Sequence, residues 1–247
     1  MEPEYGKNNE RGLMQKFYAI WVRMDGEYFC LKRNLSWKKL SVFFQRKQKM
    51  YWAQFENING AIFRFNTRIY LQPIEKPVST DICIGAFIGK NPGSAQPTNP
   101  KISTLQRIQL GNDKLLPTIK NIMLKAYNVA KKEIITNSYI QVLNLFYLCD
   151  PLLSQAKRRI QGFLPDHPID CSENNKFPFV FYSWGGPNDR INEYKNRFIK
   201  NIRTKNHIWF DYSANRTNLT KPSETDFVKH IQGLAHDNIL QQIAAVI

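Results

Sequence analysis

Six residues, Gly89-Lys90-Asn91-Pro92-Gly93-Ser94, follow directly on the apolar run of residues 82–88. A Gly-x-Asn-Pro-Gly turn after a buried strand frees the backbone to approach a ligand and leaves an amide side chain at the strand mouth. A plain strand-to-helix connection uses the same residues. A second amide, Asn144, stands in the apolar stretch Val142-Leu143-Asn144-Leu145. An amide presents both an acceptor and two donors, which suits the edge of a heterocyclic base; a satisfied buried Asn between strands is the structural alternative. Further along, the polar loop of residues 213–223 holds Ser213, Asn215, Arg216, Lys221 and Ser223. The P-loop, the G-x-G-x-x-G dinucleotide turn and the G-x-S-x-G nucleophile elbow are all missing from the sequence.

These residues need strands to present them. From residue 80 onward, apolar runs at 82–88, 139–148, 179–184 and 207–212 alternate with segments of helical period. Leu115, Leu116, Ile119, Ile122, Met123, Ala126 and Val129 recur at helical spacing behind an Asp113 cap, and residues 151–163 and 188–202 read as further helices. A final helix is expected to carry Phe227, Val228, Ile231, Leu234, Ala235, Ile239, Leu240 and Ile243. The expected class is α/β, with a mostly parallel central sheet of about four strands covered by helices on both faces. Ligands of such sheets bind beyond the carboxyl ends of the strands.

Residues 1–70 differ in character, being dense in aromatic and basic side chains, and are assigned to an N-terminal extension; residues 71–247 form the α/β domain. Within the extension, Phe17-Tyr18-Ala19-Ile20-Trp21-Val22, the turn Asp25-Gly26 and Tyr28-Phe29-Cys30-Leu31 read as a hairpin. The stretch from Trp37 to Lys49 interleaves aromatics with bases, as a nucleobase-stacking platform or an edge element with one buried side would.

The chain has 247 residues, 43% of them hydrophobic, enough to bury a core, and a formal charge of +15. Such a balance suits a polyanion, because each Lys or Arg that neutralises a phosphate releases counterions. No apolar stretch approaches the roughly 20 residues of a membrane span, and no secretory or transit signal opens the chain, so the expected location is the cytoplasm. Four cysteines, none in a C-x-x-C pair, give no ground for a disulfide framework, a zinc site or an iron–sulfur cluster, and neither metal nor cofactor is expected.

The order of segments from residue 82 to about 223 resembles the uracil-DNA glycosylase superfamily. Gly89-Lys90-Asn91-Pro92-Gly93 is similar to the water-activating motif of the mismatch-specific uracil/thymine branch. Val142-Leu143-Asn144-Leu145 resembles the strand whose Asn reads the pyrimidine, Phe179-Val180-Phe181-Tyr182-Ser183-Trp184-Gly185 the strand ending in Trp-Gly, and Asn206-His207-Ile208 the approach to the family's His-Pro-Ser loop. Gly26–Ser36 and Asn91–Ser94 also resemble bacterial glycosylase-fold proteins with an Asn-Pro-Ser motif. The resemblance implies a monofunctional, monomeric DNA glycosylase that flips a pyrimidine out of duplex DNA and leaves an abasic site. Asn91 would hold the attacking water, Asn144 would read the base, and backbone around Gly89, Lys90, Ser94 and Ala95 would line the pocket.

Uracil-specific members carry Tyr where this chain has Gly93, so a C5 substituent is expected to fit. Hydroxymethylcytosine or its glucosylated form in phage DNA is the leading candidate, with Gln96, Asn99 and Gln106 near the substituent. A uracil/thymine mismatch repair enzyme and an inactive nucleic-acid-binding module on the same fold are the alternatives. His-Pro-Ser itself is missing: the candidate positions read Ser213-Ala214-Asn215 and Lys221-Pro222-Ser223, which leaves Lys221 as the stand-in cation and Arg216 as a wedge for the vacated stack. Asp189 and Asp211 are the nearest strand-end carboxylates, whereas His207 reads as a packing residue and His167, His230 and His236 have no assigned partner.

Overall fold

The computed structural model describes residues 49–164, 166–186 and 191–247, together with the strands Ile20–Met24 and Glu27–Leu31. Those two strands, β1 and β2, pair antiparallel from Ile20↔Leu31 to Met24↔Glu27. The stretch from Trp37 to Gln48, read as platform or edge element, lies outside the described residues, as does most of the Gly26–Ser36 match.

The main sheet has nine strands, so the expectation of about four mostly parallel strands is corrected to a larger mixed α/β sheet. In chain order its strands are β3 (Tyr51–Ile58), β4 (Ala61–Tyr70), β5 (Ile82–Gly89), β6 (Gln96–Pro97), β7 (Gln106–Gln109), β8 (Ser138–Asn144), β10 (Val180–Tyr182), β12 (His207–Asp211) and β13 (Arg216–Asn218). The short β9 (Lys176–Phe177) and β11 (Arg203–Thr204) make a separate parallel pair. Across the sheet the order is β13-β12-β10-β5-β8-β4-β3-β7-β6. The stretch β12-β10-β5-β8 is parallel, and antiparallel strands extend it on both sides.

Strands β3 and β4, which composition groups with the N-terminal extension, are inner members of this sheet. Asn59 and Gly60, both at positive φ, close them into a hairpin, the backbone geometry that a two-residue turn between twisted strands requires. Grouping residues 1–70 by composition passes over the strand period of both.

Alternation along the central strands sends side chains into two cores. Phe87, Ile140, Val142, Phe179, Phe181, Ile208 and Phe210 face helices α1 (Leu115–Ala130) and α4 (Asp237–Ala244). Ala86, Ile88, Leu143, Leu145, Val180, Tyr182 and Trp209 face α2 (Leu153–Ile160) and α3 (Asn192–Asn201). Burial on both faces is why β5 and β8 read as nearly unbroken apolar runs. Asp113 caps α1 as expected, its Oδ1 accepting from the Leu115 and Leu116 amides at 2.8 and 3.3 Å.

The last helix is shorter than its periodicity suggests. α4 begins at Asp237, while Val228 lies extended and bridges both Gly185 and Asp211. Tertiary pairing to the ends of β10 and β12 overrides a helical period that runs through the segment.

Candidate functional site

From β5 the chain crosses to β8 on one side, and from β10 it crosses to β12 on the other. Connections that diverge from two adjacent parallel strands mark where the ligand crevice of such a sheet is expected, beyond the carboxyl ends of β5 and β10. The turn at residues 89–94 follows β5, and the Trp184-Gly185-Gly186 segment follows β10.

Gly89 ends β5 in register with Asn144, the last residue of β8. Backbone bonds continue past the strands, from Leu145 N–H to the Gly89 carbonyl at 3.0 Å and from Phe146 N–H to the Lys90 carbonyl at 3.3 Å. A Cβ on Gly89 would stand 3.3 Å from Asn144 Oδ1, so glycine leaves the amide room. Asn144 is fully buried, and neither its Oδ1 nor its Nδ2 has a hydrogen-bond partner. Leaving such groups unmade costs about 1–3 kcal/mol each.

Asn91 donates from Nδ2 to the Asp150 carbonyl at 2.9 Å. That bond fixes the amide with its acceptor oxygen turned away from Asp150. Asp150 is itself pinned: Oδ1 accepts from the Leu152 amide and Oδ2 from Arg159, at 2.9 and 3.1 Å. Gly93 sits at φ +74°, and nothing lies within 4 Å of where its Cβ would be, so the turn is open on that side. Ser94 is half-buried and accepts from Gln96 through its carbonyl, while Ala95 packs into the core.

Lys90 packs its side chain against Gly185, in the segment that follows β10. Its Nζ lies 2.8 Å from the point a Cβ on Gly185 would occupy, and Gly185 adopts φ +83° there. Burial lowers the Lys90 pKa, and the Lys157 ammonium of α2 lowers it further. The His230 pKa is pushed down by burial and then by the Lys90 charge, and its Nδ1 accepts from the Gln232 amide at 3.4 Å. Ser183 holds that segment in place: its Oγ accepts from the Ile231 amide at 2.8 Å, and its own N–H donates to the Ile88 carbonyl at 2.8 Å.

His230 is the site residue that sequence reasoning missed. No spacing signal marks it, and the apparent helical period of residues 227–243 points away from a strand-end role. Lys221 is corrected in the opposite sense. It is exposed, donates to the Ile199 carbonyl at 2.7 Å and acts on His207, which begins β12, so it lies toward the amino end of the sheet. The polar loop doubles back along β13, which is why residues that follow a carboxyl end in sequence finish at the other end in space.

Ser213, Asn215 and Arg216 occupy the exposed β12–β13 hairpin at the sheet border, not the crevice. Asp211 is taken up by that turn, its Oδ1 accepting from the Ser213 and Ala214 amides at 2.9 and 3.0 Å. Ser223 is exposed and donates through its N–H to Asp226 at 2.7 Å. Gln106 is corrected as a substrate contact: it spends both ends on its own loop, accepting from Asn99 N–H and donating to the Asn99 and Ile102 carbonyls. Asp189 lies outside the described residues.

A partly buried ionic cluster backs the β8 end. Arg197 on α3 donates to Glu173 at 2.9 and 3.0 Å, to the Leu145 carbonyl at 2.9 Å and to His167 Nε2 at 2.7 Å. Tyr147 adds a bond to Glu173 at 2.6 Å. These contacts hold the residues immediately after Asn144. Among the described residues no group of three His, Cys, Asp or Glu side chains is placed to hold a metal ion, and no helix is long and apolar enough to cross a membrane.

No family model, curated protein or solved structure matches the chain.

Proposed function

We propose that the chain is a cytoplasmic, monomeric DNA glycosylase acting on a C5-substituted pyrimidine, with hydroxymethylated or glucosylated cytosine of phage DNA as its best substrate. The reading rests on one observation above others: a fully buried amide, Asn144, with both polar atoms unpartnered at the carboxyl end of β8, paired with Gly89 at the end of β5. A flipped pyrimidine offers the donor and acceptor that this amide lacks.

Asn91 supplies the water. With Nδ2 held by the Asp150 carbonyl, its oxygen accepts from a water aimed at the anomeric carbon as the sugar gains oxocarbenium character. An amide is too weak a base to take the water's proton, so it orients the water and stabilises charge, and the chemistry is slower than a carboxylate there would give. His230, whose Nδ1 accepts from the Gln232 amide and so leaves Nε2 to donate, is assigned as the donor to the departing base or a flanking phosphate in place of Lys221. The open side of Gly93 accommodates the C5 group. A net charge of +15 supports duplex binding.

The test is a panel of duplexes carrying uracil, a thymine mismatch, hydroxymethylcytosine or glucosylated hydroxymethylcytosine. Base release is read by mass spectrometry and abasic sites by alkali cleavage. Release from the C5-substituted substrates is expected, with Asn91→Ala slowing it on the order of 10²-fold while duplex binding is unchanged. Release from uracil or mismatched thymine alone would make this a repair enzyme. Tight binding with no base released from any substrate would leave a nucleic-acid-binding module.

A further inference from the structure

We propose that a cavity on the β3–β4 half of the sheet is a second binding site, which takes a small phosphate monoester of about nucleotide size. It is separate from the proposed base pocket. Pro77, Val78 and Ser79, which line it, lead into the amino end of β5, whereas Gly89 and Asn144 close the carboxyl ends of β5 and β8.

The cavity has a volume of about 470 Å³, inside the range of roughly 300–1,000 Å³ that small-molecule sites occupy. Among the described residues Arg68 of β4 is the one cation that lines it, and no carboxylate does. Two contacts fix this half-buried guanidinium: Nε donates to Asn66 Oδ1 at 3.0 Å, and Cζ stands 4.6 Å from the centre of the Tyr139 ring. The neighbouring acids do not claim the two terminal nitrogens, since no described carboxylate forms an ion pair with Arg68. Asp170 accepts instead from the Asn66 and Ser172 amides at 2.5 and 2.9 Å. Asp81 accepts from the Val78 amide at 2.8 Å and from the hydroxyl of Tyr70, itself beside Arg68, at 2.6 Å. Asn66 is held at φ +45°, a left-handed backbone that costs a residue with a side chain and recurs at ligand sites. A stacked and oriented guanidinium with no acid of its own is a receptor for an oxyanion, which it meets with two parallel N–H bonds.

Phosphate suits the lining better than carboxylate. Ser79, Ser103 and Thr104 bring three hydroxyls from the loops before β5 and β7, and none of the three bonds to another described residue. A carboxylate has two oxygens, which one guanidinium satisfies; a phosphate monoester has three terminal oxygens and uses the hydroxyl donors as well. The remaining volume holds the organic part against Val78 and Leu105. Gln54, whose Nε2 donates to Glu56 at 2.6 Å, has its Oε1 left for a donor on that part.

The experiment titrates the full chain by isothermal calorimetry with adenosine 5′-monophosphate, adenosine, inorganic phosphate and a duplex without terminal phosphates. A purine is used because the proposed base pocket takes a pyrimidine. Adenosine monophosphate is expected to bind saturably with a Kd below about 1 mM, with inorganic phosphate weaker and adenosine at least about tenfold weaker. Arg68→Lys keeps the charge but loses the fork, and should lower affinity at least about tenfold, with circular dichroism checking that it folds. Ser103→Ala combined with Thr104→Val changes two exposed positions and should also weaken binding. Lys200→Gln, which removes an exposed charge from α3, should leave it unchanged. The proposal is overturned if adenosine binds as well as its monophosphate, if no small phosphate binds, or if either cavity variant binds like the wild type. It is equally overturned if Lys200→Gln weakens binding as much as Arg68→Lys, which would make the effect one of overall charge. Loss of duplex binding in Arg68→Lys with adenosine monophosphate unaffected would make the cavity a strand contact and sink the small-molecule reading. Base release enters none of these readouts, so the site stands or falls apart from the glycosylase reading.

Discussion

Asn144 is the position where stability and function should separate. Its two polar atoms are buried without partners, a cost that a leucine of similar size would not bear. Asn144→Leu is therefore expected to raise unfolding stability by about 1–3 kcal/mol in urea titrations while abolishing base release. A destabilised variant would show that the amide is satisfied in solution and would weaken its role as a reader. Asn91 and Asn144 were legible in the sequence because an amide at the end of an apolar run is out of place in a core. His230 was not, because its segment is brought to the end of β10 only by a long-range bond, Ile231 N–H to Ser183 Oγ. Lys221 misled because sequence distance from a strand end carries no direction, and β13 reverses the chain between them.

At the scale of elements, the central strands constrain each other tightly. A Cβ at Gly85 would fall 2.3 Å from the fully buried Phe179 ring, across the β5–β10 junction. Gly85→Ala should cost about 2 kcal/mol by overpacking, and pairing it with Phe179→Leu should cost less than the sum, as denaturant midpoints would show.

The cluster behind β8 carries a pH signature. Arg197 can only donate, so His167 Nε2 accepts and the ring is neutral; burial first, then Arg197, hold its pKa down at about 4 against the usual 6.5. Between those values the unfolded chain binds a proton that the fold refuses. The contribution is thus complete above pH 6.5 and is lost as pH falls toward 4. His167→Gln should flatten that part of the stability profile; an unchanged slope would move the effect elsewhere.

Strands β5, β8, β10 and β12 stood out in the sequence as apolar runs bounded by turns, and Asp113 as a cap. β3 and β4 did not, although Asn59-Gly60 between aromatic strands is a strong hairpin signal, because composition drew attention to their charge and rings instead of their period.

For the molecule as a whole, a charge of +15 predicts binding governed by counterion release. Duplex affinity should fall with salt along a log–log line of slope magnitude about 4 or more, measured by fluorescence anisotropy between about 50 and 200 mM salt. A flat line would exclude the phosphate backbone as the main source of affinity.

The borders of the nine-stranded sheet have a consequence of their own. Its outermost strands are β6, two residues ending in Pro97, and β13, three residues that begin with the exposed Arg216. A proline lacks the N–H that another chain would need to grip, and a stub of three residues with a charge on it gives little length to copy. Among the described residues, the sheet thus ends on both sides in strands that offer a further chain little backbone to pair with.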